Sequence, residues 1–222
     1  TKGDLDLDQK LIKYDVIGSL AHSKMLHKIG ILNKNELNTL EKGLNEIISL
    51  NNKGKFTLKF GDEDMHTKIE NYLTEKYGEV GGKIHTGRSR NDQILTAVRL
   101  YSMDKMKEIE FEVKVLIKTF KKFSNKYGDI QMPGYTHMQK AMPSSVYFWI
   151  NSFADSLTDD LKILQGSYEL IDQSPLGSGA GYGVPLKLDK KYTAKLLNFS
   201  KVQENPIYAQ NSKGKFDAVI LN

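Results

Sequence analysis

Two long apolar stripes constrain this chain more than any other feature. From Asn91 onward, Leu95, Val98, Tyr101, Met106, Ile109, Val113, Leu116, Phe120 and Phe123 keep to one helical face. From Ser145, the series Val146, Trp149, Phe153, Leu157, Leu161, Leu164, Tyr168 and Ile171 recurs at spacings of three and four only. Helices of this length pack side by side in bundles, so their Trp and Phe residues are expected in a core. No strand-rich region, internal repeat or low-complexity segment competes with that reading. The expected class is all-α: a small helical N-terminal domain over residues 1–90, then a long-helix central bundle over 91–222. The last pattern, Phe216 to Asn222, stops without a cap, so the bundle reads as truncated at its C-terminal side.

The first ninety residues carry their own helix signals. Leu7, Leu11, Tyr14, Ala21 and Met25 share a face, and Asn33-Lys-Asn-Glu36 resembles a capping box ahead of Leu37, Leu40, Leu44 and Ile47. Lys55 to Phe60 reads as a short extended piece between Gly54 and Gly61. A further helix is expected from about Asp64 to Tyr77, broken by Gly78, Gly81 and Gly82.

Composition removes several function classes. With no Cys among 222 residues there is no disulfide, thiolate metal site or Cys nucleophile, which fits a reducing, cytoplasmic setting. No apolar run approaches the roughly 20 residues needed to cross a bilayer, so no membrane partner is expected. A net charge of +5 and a pI near 9.0 raise nucleic acid as a partner. The lysines, however, are scattered among Glu and Asp with no basic arm, so an anionic small molecule is the better expectation.

Cation usage narrows this further. Of 32 Lys and Arg, the arginines are Arg88, Arg90 and Arg99, inside or just after the stretch His85-Thr-Gly-Arg-Ser-Arg-Asn-Asp-Gln93. Arg offers a planar fork that meets a carboxylate two bonds at a time, whereas Lys is a hydrated point charge. The stretch is a Gly-containing loop leading into the longest helix, with Ser89 or Asn91 as the candidate cap. A helix N-terminus supplies free N–H groups and a positive dipole end, so loop and arginines together read as an anion site. Structural ion pairing of the same arginines is the competing reading.

Three other clusters stand out. Between the long helices, Pro133-Gly134 reads as a turn and Pro143 as the opening of the next helix. That holds Thr136 and His137 in a connection at a bundle end, where His suits proton transfer near neutral pH. Ser174-Pro-Leu-Gly-Ser-Gly-Ala-Gly-Tyr-Gly183 lacks the strand-turn-helix setting of a dinucleotide fingerprint and reads as a tight backbone turn. Glu63-Asp-Met-His66 lacks two-His metal spacing, so Asp64 is read as capping or positioning substrate.

Taken together, HTGRSRNDQ, GYTHMQKAMP, SPLGSGA and EDMHTKIE resemble the argininosuccinate lyase family of the fumarase/aspartase superfamily, from about Asp15 to Asn211. The resemblance implies reversible elimination of argininosuccinate to arginine and fumarate, without metal or organic cofactor. It implies that Arg90 and Asn91 bind substrate carboxylate, that Ser89 shapes the loop, and that Thr136 and Asp64 contact substrate. His137 would be the acid/base residue serving the departing guanidino group. It also implies a homotetramer whose active sites are shared between subunits, and no nucleic-acid or membrane partner. Some features depart from the family. Its GSSxMPxKxNP loop with the catalytic Ser is absent from these residues. Asp4 falls where a substrate-contacting Ser is expected, and GAGYGVP and KGKFDA replace the usual continuations. A non-catalytic, crystallin-like protein of the same fold is the alternative.

Overall fold

The computed structural model describes residues 4–221, in a helical fold whose strands are all short. Helices α1 (Asp4–Lys28), α2 (Lys34–Asn52) and α3 (Met65–Tyr77) come first, followed by the single turn α4 (Glu79–Gly82) and a 3-10 turn over Lys83–His85. The long α5 (Arg90–Tyr127) and α6 (Val146–Ile171) are joined by strands β1 (Gln131–Thr136) and β2 (Gln139–Ser145). The remainder is β3 (Gln173–Ser174), α7 (Lys190–Leu196), β4 (Lys201–Val202), α8 (Pro206–Asn211) and α9 (Lys213–Leu221). The Asp4 side chain and Asn222 lie outside the described residues.

Two compact units emerge: Thr1–Ser102 with Ile171–Asn222, and Met103–Leu170. In the first, Ile12, Val16, Met25, Leu26, Leu40, Leu44, Ile47, Met65 and Leu73 form the core. Asn33 caps α2 in the box its sequence predicts, taking the Glu36 N–H while Glu36 takes its own. Such a cap contributes about 1 kcal/mol. Asp64 caps α3 in turn, its Oδ1 2.6 Å from the Thr67 N–H. At Gly43 a Cβ would meet Leu73 at 2.5 Å and Tyr77 at 2.7 Å, so this glycine lets α2 lie directly against α3.

Details differ from the sequence expectation for physical reasons. Leu7 is 60% exposed and leaves the buried face of α1. Lys55 to Phe60 is not a strand; Phe60 makes only an isolated bridge to Asp62, because no neighbouring strand among the described residues supplies a ladder. Gly78 ends α3 at φ 62, as expected, but Gly81 and Gly82 then belong to α4 rather than to a loop.

The second unit carries larger corrections. Pro143 does not open α6: it lies in β2 opposite Pro133, and the register shifts between Pro133 and Tyr135. Neither proline can donate to the ladder, so the hairpin accommodates both at an irregular pairing. Its turn is at His137-Met138, not Pro133-Gly134. The long helices meet through Phe120 and Phe153 (ring centroids 6.2 Å apart) and through Asn151 Nδ2 to Ser124 Oγ at 2.9 Å. Two helices bury one seam only, here Met103, Met106, Ser124, Ile150 and Ala154. Phe123, Trp149 and Phe153 are therefore not core in this chain; they remain 41%, 49% and 48% exposed.

Apolar surface on that scale promotes association. The 222-residue chain on its own is expected to self-associate at micromolar concentration, and Phe148→Glu with Trp149→Glu to reduce the associated fraction. Sedimentation velocity of both proteins checks this; monomers throughout for the unaltered chain would contradict it.

Candidate anion-binding site at the start of the longest helix

Ser89 is the cap of α5. Its Oγ accepts the Asn91 N–H at 3.2 Å, and its own N–H donates to Asp92 Oδ1 at 3.0 Å, a reciprocal box with Asp in the usual Glu position. Asp92 does more than cap. Its Oδ2 accepts the N–H groups of Gly177 and Gly179, each at 3.0 Å, with both glycines at positive φ. The glycine-rich stretch is thus a backbone turn wrapped on a buried carboxylate. Burial pushes the Asp92 pKa up, against the opposing pull of these hydrogen bonds and of Arg88.

The three arginines divide. Arg88 is buried, with Nη1 donating to Ser19 Oγ at 3.0 Å and Nη2 3.6 Å from Asp15 Oδ1. Arg99 is buried as well: it donates to the Gln173 carbonyl and to Ser212 Oγ, and sits 4.3 Å from the centroid of the Phe216 ring. For these two, structural pairing is the observed role. Arg90 differs, with its side chain 38% exposed. Its Nη2 donates to Thr67 Oγ1 at 2.9 Å, and its guanidinium lies 3.4 Å from Asp64 and 3.9 Å from Glu70. The cap of α3 and the start of α5 therefore hold one partly exposed guanidinium at the helix N-terminus, with its Nη1 buried and making no hydrogen bond to the described residues. Asn91 is partly exposed next to it, its Oδ1 accepting from Lys213 Nζ at 2.9 Å.

Beneath this loop lies a buried polar layer. Asp15, Ser19, His22 and Ser23 lie along α1, none more than 2% exposed. His22 Nε2 is 2.8 Å from the Thr86 carbonyl, so the neutral ring donates there. Asp15 Oδ1 is approached by His66 Nδ1 at 3.0 Å and by Gln93 Nε2 at 3.3 Å, in addition to Arg88. Burial alone would push the Asp15 pKa up, but His66, Arg88 and Gln93 outweigh it and hold the carboxyl below its ordinary range. His85, near the surface, is pushed down by partial burial although Glu70 lies 3.7 Å away.

Ser89, Arg90, Asn91 and Asp64 are thus gathered in the first unit. Thr136 and His137 belong to the second, at the exposed tip of the β1–β2 hairpin. His137 and Met138 adopt φ of 48° and 59°, the pattern of a two-residue I′ turn. Neither is the Asn or Gly that such a turn prefers. Sequence reading missed Asp15, Ser19 and His22 as supports of the loop. Their signal was present: polar residues at helical spacing within an otherwise apolar stripe of α1.

A family model described as "Lyase" matches residues 4–220. Argininosuccinate lyase of Thermotoga neapolitana is 51% identical over 219 residues, covering 99% of this chain and 55% of that protein. The enzyme of the same name from Phocaeicola vulgatus is 44% identical over 214 residues, covering 96% and 48%. The chain therefore spans about half the length of the curated relatives it matches. Among solved structures, an EDDS lyase variant with bound fumarate superposes with a TM-score of 0.84 at 25% identity, over 96% of this chain and 42% of that one. A sequence matched along nearly its whole length by one family model, and a fold shared with a solved lyase, place this chain in the lyase family of the fumarase/aspartase superfamily, with argininosuccinate lyases among its relatives.

Proposed function

We propose that the protein to which this chain belongs cleaves argininosuccinate to arginine and fumarate by elimination. The observation that carries this reading is Arg90: of the three arginines it alone is partly exposed, its guanidinium is oriented by Thr67 and Asp64 at a helix N-terminus, and its buried Nη1 has no hydrogen-bond partner among the described residues. Identity of 51% to an argininosuccinate lyase over 99% of the chain supports the substrate. In this reading Arg90 and Asn91 bind a carboxylate of the substrate, with Ser89 fixing the loop and Asp64 orienting the guanidinium. The neighbouring carbon gives its proton to a base, a role that the resemblance leaves to the Ser of the loop absent from these residues, and the charge that then grows on the carboxylate is stabilised by fixed donors more than by mobile ones. Thr136 hydrogen-bonds substrate, and His137 gives a proton to the departing guanidino nitrogen as the C–N bond breaks.

The wider setting belongs to the same proposal. Residues 1–90 would form the N-terminal helical domain and 91–222 part of a central bundle, in a homotetramer with shared active sites. The exposed aromatic residues of α5 and α6 support burial against other helices. No helix among the described residues is long and apolar enough to cross a membrane. A cytoplasmic setting without nucleic-acid partners is proposed from the absence of Cys and the scattered lysines.

The test is Arg90→Lys in the full-length protein, which keeps the charge and removes the fork. Substrate binding or turnover is expected to fall at least about tenfold, or roughly 1.4 kcal/mol. Fumarate release from argininosuccinate, followed by absorbance, reads it. Equal service by Lys would overturn the anion-site assignment.

A further inference from the structure

We propose that Asp15 is a positioning residue for the Arg90 anion site: one buried carboxylate that fixes the spacing between the two segments clamping the Arg90 guanidinium. This rests on the reading of Arg90 as the group that binds substrate carboxylate. Arg90 is held by two segments, its own loop and the first turn of α3, where Thr67 accepts from it and Asp64 lies 3.4 Å away. Each segment is separately tied to Asp15. His66, adjacent to Thr67, brings Nδ1 to 3.0 Å from Asp15 Oδ1. Arg88, two residues before Arg90, brings Nη2 to 3.6 Å from the same oxygen, and Gln93 on the first turns of α5 donates to it at 3.3 Å.

Three groups from three elements thus converge on Oδ1, while Oδ2 accepts no hydrogen bond from the described residues. Apolar packing of Met65 with the α1 core also holds these segments, and the further polar ties to α1 are Arg88 to Ser19, Thr86 to His22, and the Met65 N–H to Asp8 Oδ2 at 3.3 Å. Stability alone is a poor account of such a layer. Buried ionic clusters are often matched or surpassed by apolar packing of similar volume, and a half-satisfied network is worse than an apolar one. What a charge hub supplies and apolar packing does not is directed distance between elements. Two segments referred to one atom keep a fixed separation, and that separation decides whether the Arg90 fork stays aimed by Thr67 and Asp64.

Asparagine tests the charge with little change of shape. Its amide oxygen can take the place of Oδ1, and its NH2 group the place of Oδ2, where no donor opposes it. In the full-length protein, Asp15→Asn is expected to raise KM for argininosuccinate about tenfold or more while kcat stays within about threefold, the signature of lost uniform binding. A merely structural role would lower the amount of native enzyme and leave KM unchanged.

Because Asp15→Asn strands the buried Arg88 charge, the double variant Asp15→Asn with Arg88→Gln removes both charges together. It is expected to recover the urea midpoint lost in the single variant and to keep the raised KM. If KM returns to the unaltered value along with the midpoint, or never rises, Asp15 is structural only and the proposal falls. Arg90→Lys, measured in parallel, separates the two readings. A normal KM in Arg90→Lys removes the anion site itself; a raised KM there, with normal KM in the Asp15 variants, removes only the positioning role.

Discussion

In the full-length protein, replacing His137 by Asn is expected to lower turnover by about 10²–10⁴-fold with helical content unchanged. The magnitude is that of a positioned acid or base removed from a proton transfer. The fold side of the expectation comes from the turn. His137 sits at φ 48 and Met138 at φ 59, where an L side chain other than Asn or Gly costs about 1–2 kcal/mol. Among the described non-Gly residues the only other with positive φ is Asn198. An exposed His held at such a position is consistent with a role other than stability. Asn is the residue most at home in this turn, so the variant should hold the hairpin at least as well as the original. Loss of fumarate release with an unchanged circular dichroism spectrum would then report chemistry alone. Near-normal turnover would remove His137 from the mechanism.

What the sequence made legible follows from which signals are local. Asn33 to Glu36 and Asp64 announce their helices because a cap is a matter of three or four residues, and both behave as read. The stripes of α5 and α6 are legible for the same reason: a helical period survives whatever the helix packs on. What the stripes meet is not local. Trp149 and Phe153 have the periodicity of core residues yet stay half exposed, since the described residues do not cover them. The arginine argument fails for Arg88 and Arg99, which are buried in protein contacts, and stays open for Arg90, whose side chain is 38% exposed. All three lie within twelve residues, and their fates are set by partners at Asp15, Ser19, Gln173 and Ser212, far away in sequence. Prolines misled at the hairpin: Pro133-Gly134 and Pro143 look like punctuation, but opposite each other they become an irregular rung of a ladder.

The buried layer under the loop also leads to a pH dependence of stability, governed by His22. That ring is fully buried, donates Nε2–H to the Thr86 carbonyl, and shares its surroundings with the Arg88 guanidinium. Burial first, and Arg88 second, push its pKa from the ordinary 6.5 down to about 3. Above pH 6.5 the ring is neutral in both folded and unfolded chains, and its contribution is complete. Between 6.5 and about 3 the unfolded chain takes up a proton that the folded chain refuses, so stability falls as pH falls. The slope approaches about 1.4 kcal/mol per pH unit, a large share of the roughly 5–15 kcal/mol that holds a typical domain folded. Asp15, its pKa lowered, adds a loss of the same sign only below its unfolded value of 3.8. Asp92, its pKa raised, acts with opposite sign just above 3.8, because the folded chain binds that proton first. The span from pH 6.5 to about 5 therefore belongs chiefly to His22, with a smaller share of the same sign from the more exposed His85. Urea unfolding at pH 7.0, 6.0 and 5.0, at one protein concentration, should show stability falling by about 1 kcal/mol or more per unit below pH 6. His22→Gln keeps an N–H for Thr86 and cannot take the proton. Its stability should lose most of that slope over the same range, keeping the smaller share from His85, whatever its value at pH 7. Parallel curves for the two proteins would place the titrating group elsewhere.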